Sequence, residues 1–121
     1  MNIHLLRSHI EKIISLSDEE FDFIASFFVE QSFKKHQFLV QEGILVTNEY
    51  WVAHGLLKAS QIDLSGKEHI LQFAMEDWWV TDYQAFFQQK EASLDVICLE
   101  DTQVLLFPTK TKKNYAPNSL K

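Results

Sequence analysis

Apolar residues change their period near residue 33. In residues 3–15, IHLLRSHIEKIIS, the residues Ile3, Leu6, Ile10, Ile13 and Ile14 recur at spacings close to three and four, which is the stripe of a helix with one buried side. A second helix is marked by its start. Ser17 is placed to cap it, Glu20 stands three positions on as the reciprocal partner, and Leu16 is placed to staple against Phe21. Its body, FDFIASFF, turns Phe21, Ile24, Phe27 and Phe28 toward a core and leaves Asp22 and Ser26 to water, with Phe23 at the edge of the arc.

From Phe38 the alternation is that of extended chain, closed by Gly43. YWVAHGLLKASQID then reads as strand interrupted at Gly55, and Ser65 and Gly66 supply a hairpin turn into HILQFA. LDVICLE and TQVLLFP are two further strands. Between them and the hairpin, residues 75–91 read as a loop with a short helix. Two helices followed by many short strands, without βα alternation, predict a mainly β fold. It is a small barrel or jelly-roll sandwich with the N-terminal helices packed at its margin.

Composition narrows the function classes. At 121 residues with three glycines and two prolines, the chain suits one ordered domain over residues 1–109. Residues 110–121 read as a basic tail without periodic pattern. Seventeen acidic side chains against eleven basic ones give a net charge of −6. All seventeen acids precede residue 110, whereas Lys110, Lys112, Lys113 and Lys121 stand in the tail, so the acidic body is a poor surface for a phosphate backbone. No export signal and no apolar run long enough to span a bilayer is visible, so a cytoplasmic protein without membrane contact is expected. The lone Cys98 lies in an apolar run and reads as a buried thiol.

Catalytic chemistry finds no anchor. His4, His9, His36, His54 and His69 are scattered, with no H-E-x-x-H pattern, and no metal site is expected. The serines lack a nucleophile elbow, and no glycine-rich phosphate loop occurs. Glu76, Asp77 and Asp82 read as a solvated charged turn. The chain is therefore not expected to be an enzyme.

The order of elements resembles the cyclic-nucleotide-binding, cupin-like sensory domain of the Crp/Fnr transcription regulators. The resemblance rests on LSDEEF (16–21), KKHQFLVQEG (34–43), YWVAHGLLKASQIDLSGKEHILQF (50–73) and LEDTQVLLF (99–107). It implies a double-stranded β-helix, or jelly-roll, barrel. In that family a cassette opens with Gly-Glu and runs about ten residues to an Arg that pairs with the cyclic phosphate. Here Thr81 and Asp82 stand where Gly and Glu belong, and Ala92 and Ser93 stand where Arg and Ser or Thr belong. Neither Ala92 nor Ser93 replaces a charge-assisted guanidinium fork, and Thr81 obstructs the backbone approach that glycine permits. Lys90, beside Glu91, reads as surface. Cyclic nucleotide binding through the usual contacts is therefore not expected, and no cofactor is implied.

What remains of the site is an aromatic group, Trp78, Trp79, Tyr83, Phe86 and Phe87, which either plugs the barrel or walls a cup for an unidentified small effector. The candidate ligand-binding set is accordingly Trp78, Trp79, Thr81, Asp82, Tyr83, Ala92 and Ser93. Asp82 is also placed to cap a helix starting near Tyr83, so Asp82→Asn is expected to be nearly silent and Asp82→Ala to cost about 1 kcal/mol.

The leading reading is a sensory or regulatory domain of a Crp/Fnr-like regulator. Two alternatives are a small-molecule-binding barrel of other role and a metal-dependent cupin-type enzyme. The resemblance implies DNA contact only through a helix-turn-helix domain absent from this chain. A homodimer is expected through the stripe of residues 3–15 or the face that a dimer helix would cover.

Overall fold

The structure, a computed structural model, describes residues 2–108; the tail assigned to residues 110–121 lies outside the described residues. Two antiparallel four-stranded sheets face each other. The first is ordered β1 (Val29–Phe33), β8 (Thr102–Pro108), β3 (Asn48–His54) and β6 (Trp79–Val80). The second is ordered β2 (Phe38–Val40), β7 (Asp95–Cys98), β4 (Leu57–Ile62) and β5 (Glu68–Ala74). This is the mainly β, jelly-roll-like architecture that the strand pattern predicts.

Strand alternation fills the space between the sheets. Val52 and Val104 from the first sheet meet Leu57, Val96 and Cys98 from the second, all fully buried. Burial pushes the Cys98 thiol pKa up, against the hydrogen bond from Thr102, so the thiol is held protonated.

The outer face of the first sheet is covered by α1 (Ile3–Ile10). Leu6 is fully buried there against Trp51, Ala53 and Leu105, with Ile3 and Ile10 beside it. The helix is shorter than the stripe over 3–15 predicts. Past Ile10 the chain leaves the helix in a turn, and Ile13 and Ile14 are 89% and 59% exposed. The chain instead folds back, held by Arg7, which donates to the Leu16 carbonyl at 2.9 Å and pairs with Asp18 at 2.9 Å.

α2 (Asp18–Ala25) begins as its sequence signals. Ser17 Oγ accepts the Glu20 N–H at 3.1 Å and Glu20 Oε1 accepts the Ser17 N–H at 2.8 Å, closing a capping box. Phe21 is buried, while Phe23 stands outside the arc and is 60% exposed.

Gly55 is where the chain passes from the first sheet to the second. Its φ is +134°, and a Cβ there would lie 2.8 Å from the Thr102 Cβ, so β8 leaves no room for a side chain. Its N–H donates to Glu76 Oε2 at 2.9 Å, and that bond holds the Glu76 carboxyl below the usual carboxylate range. A carboxyl lowered on folding stabilises the fold above its unfolded pKa, and this contribution is lost as pH falls through the folded value. Glu76→Gln is therefore expected to flatten the dependence of melting temperature on pH below about pH 5, as read by thermal denaturation over an acid series.

The hairpin between β4 and β5 turns on Asp63. Its carboxylate accepts the Ser65 and Lys67 N–H groups at 2.9 and 3.0 Å, and Gly66 takes φ +88°.

Candidate functional site

The cassette-like segment is built on the end of β6. After Val80, Thr81 turns inward, 7% exposed, and its hydroxyl donates to the Asn48 carbonyl at 2.7 Å, which ties the segment to the start of β3. Asp82 follows in extended conformation and caps α3 (Tyr83–Gln88), where its Oδ1 accepts the Ala85 N–H at 3.1 Å. The helix is one and a half turns long because Gln89 enters the left-handed region at φ 56° and ends it.

Residues 90–92 then run beside the loop that follows β2. The Gly43 N–H donates to the Ala92 carbonyl at 2.9 Å, the Ala92 N–H to the Ile44 carbonyl at 2.9 Å, and the Val46 N–H to the Lys90 carbonyl at 3.1 Å. This places Ser93 back beside the helix start. The second carboxylate oxygen of Asp82 accepts both the Ser93 N–H at 2.9 Å and the Ser93 hydroxyl at 3.2 Å.

Asp82 is 4% exposed, so it belongs to no solvated turn. The three acids grouped by sequence have separate roles. Glu76 holds Gly55, and Asp77, in the left-handed region at φ 72°, faces Lys12 and His9 at 3.9 and 4.0 Å. Asp82 closes the cassette from inside. Three donors converge on one buried carboxylate, and both ends of the segment are clasped by it.

Ala92 lies in the core between the sheets, 5% exposed, in the same cluster as Leu39, Val46 and Phe86. A guanidinium at that position would enter an apolar cluster. Ala92→Arg is expected to lower stability by about 2 kcal/mol and to leave the protein without cyclic AMP binding; denaturant melts and calorimetry measure the two effects.

The aromatics read as either a plug of the barrel or the wall of a cup are distributed over different surfaces. Trp79 pairs with Trp51 across β3 and β6 and packs under α1, 6.0 Å from Phe28. Trp78 is 43% exposed and Phe87 67%. Tyr83 donates from its hydroxyl to Glu49 Oε2 at 2.9 Å, and burial together with that carboxylate pushes the phenol pKa up. Phe86 alone of the five is in the interior, 1% exposed. Two periods make the split: on β6 Trp79 faces out under α1 while Val80 faces the core, and on α3 the neighbours Phe86 and Phe87 point about 100° apart. Lys90 is exposed, as its neighbour Glu91 suggests.

The structure thus brings Thr81, Asp82, Ala92 and Ser93 together and leaves Trp78 and Trp79 elsewhere. Sequence spacing carries no sign of the partners of Glu49 and Glu76, which stand 34 and 21 positions away.

This arrangement, strands β1 to β8 with a capped helical turn between β6 and β7, corresponds to a known domain. The profile of the cyclic nucleotide-binding domain family matches residues 30–115. The chain belongs to that family. No curated protein sequence matches it.

Among solved structures, the cyclic nucleotide-binding domain described here is similar to the catabolite activator protein of Thermus thermophilus. The identity is 23% and the TM-score 0.70, over 79% of this chain and 45% of that one. It is also similar to the sensor domain of the transcriptional regulator DNR from Pseudomonas aeruginosa, at 18% identity and TM-score 0.71, over 88% of this chain and 71% of that one. A third neighbour is the regulatory subunit of a cAMP-independent protein kinase A from Trypanosoma cruzi, solved bound to guanosine. Its identity is 11% and TM-score 0.70, over 88% of this chain and 39% of that one. The chain spans less than half the length of the first and third of these proteins. At these identities the neighbours share the fold.

Proposed function

We propose that this cyclic nucleotide-binding domain is a sensory domain of a Crp/Fnr-like transcription regulator that does not bind cyclic AMP by the usual phosphate contacts. The observation that carries this reading is the buried carboxylate of Asp82, which holds the Ala85 N–H and the Ser93 N–H and hydroxyl at 2.9 to 3.2 Å. In the resemblance that the sequence shows, Ser93 stands beside the position of the phosphate-pairing arginine. Here its two donors are directed at an internal anion instead.

A cyclic phosphate entering beside Asp82 would meet a like charge and would find no arginine. Displacing the carboxylate would leave a buried charge without its donors, a change that costs several kcal/mol before any contact to the ligand forms. The cassette is closed by the protein's own anion, and a signal reaches it by another route.

Titration calorimetry with cyclic AMP and cyclic GMP tests this directly. Kd values weaker than about 100 μM are expected for both, and micromolar binding of either would overturn the reading. DNA recognition belongs in this proposal to a further domain of the whole regulator, and pairing of two copies is expected in that setting.

A further inference from the structure

A cleft at one end of the first sheet is lined by Ser32, Phe33, Lys34, His54, Asp101 and Gln103. Its cavity is about 420 Å3, and none of residues 81–93 lines it. The strand register explains how it is built. Ser32 on β1 lies opposite Gln103 on β8, and Gln103 lies opposite His54 on β3, so three polar residues form one row across three strands. Lys34 follows directly on β1 and Asp101 directly precedes β8, which sets a cation and an anion on the rim of the same cleft.

The base of the cleft is closely packed. Thr102 is 1% exposed beneath Gly55, whose glycine identity the close approach of the two strands requires. Phe33 adds an apolar wall, itself braced edge-on against Tyr50 at 6.3 Å.

The cleft presents one fixed cation, Lys34, and one carboxylate, Asp101. The Gln103 amide oxygen is already engaged by Asn2 Nδ2 at 3.0 Å, which leaves the amide nitrogen as a donor beside the Ser32 hydroxyl, the Lys34 ammonium and the His54 imidazole. The one carboxylate lining the cleft is that of Asp101, with its Oδ1 held by the Lys35 N–H at 2.9 Å. The single cation on its rim suits a carboxylate, and the single acid suits an amine.

We infer that this cleft binds a small zwitterion with one carboxylate and one ammonium group, the chemistry of a free α-amino acid. The carboxylate is received by Lys34 and Gln103, and the ammonium by Asp101. The volume, about 420 Å3, leaves room for a free amino acid of any side-chain size. The inference rests on the sensory reading above for its regulatory meaning and on the cleft alone for the binding itself.

The test is calorimetry of the protein with each of the twenty standard amino acids and with inorganic phosphate, beside amide NMR. At least one amino acid is expected to bind with Kd below about 1 mM and to shift the amides of Ser32, Lys34 and Gln103. Lys34→Ala and Asp101→Asn, both at exposed positions, are each expected to weaken that binding about tenfold or more. The inference is overturned if no amino acid binds, if binding ignores both substitutions, or if phosphate binds equally well. Cyclic AMP titration addresses the cassette separately, so failure here leaves the reading of the cassette standing, and failure there leaves this cleft untouched.

Discussion

Asp82→Ala is expected to lower stability by about 3 kcal/mol, well beyond the loss of one helix cap. Capping accounts for about 1 kcal/mol. The remainder is the loss of the charge-assisted bonds from the N–H and hydroxyl of Ser93, an exposed residue, at 2.9 and 3.2 Å, which contribute about 2 kcal/mol. Asp82→Asn is expected to cost about 1.5 kcal/mol, and here the structure changes the expectation drawn from the sequence. Asparagine caps a helix as well as aspartate does, which is why the local reading makes it silent. Its amide has one acceptor oxygen, however. With that oxygen on the Ala85 N–H, the amide nitrogen is set against the Ser93 N–H, donor against donor. Urea melts of the two variants measure both values. A silent Asp82→Asn would mean that the bond to Ser93 contributes nothing and that Asp82 is only a cap.

Gly55→Ala is expected to be the most damaging single methyl in the chain, at about 4 kcal/mol. Two effects combine: a φ of +134° that L residues rarely adopt, and a Cβ placed 2.8 Å from the Thr102 Cβ. Neither neighbour yields easily, because Thr102 is fully packed and the Gly55 N–H is tied to Glu76. Gly66→Ala is the matched comparison. Its φ is +88°, but nothing lies within 4 Å of the added Cβ, so only the backbone strain of about 1 kcal/mol is expected. Equal losses at the two positions, in the same urea melts, would show that the strand approach at Thr102 is looser than described.

Local features were legible in the sequence. The capping box of Ser17 and Glu20 and the cap at Asp82 each depend on residues three apart, and the chain forms them without help from distant strands. The hairpin at Ser65 and Gly66 is legible for the same reason. Trp78 and Trp79 show where such reading ends. Their grouping with Phe86 assumed one inward wall, but the outer face of the first sheet is itself buried by α1, and Trp79 has its partners there. Ile13 and Ile14 mislead in the opposite sense, since a periodic stripe does not reveal where the helix stops. The bond from Asp82 to Ser93 spans eleven positions and forms only because residues 90–92 pair with the loop after β2, a tertiary event that no spacing rule encodes.

The central claim is that Asp82 occupies the donors that a cyclic phosphate would need. Amide NMR of the protein during titration with cyclic AMP to about 1 mM observes those donors individually. The Ala85 and Ser93 resonances are expected to stay unchanged throughout. Saturable movement of both would show that a cyclic phosphate takes the place of the Asp82 carboxylate, and would contradict the account.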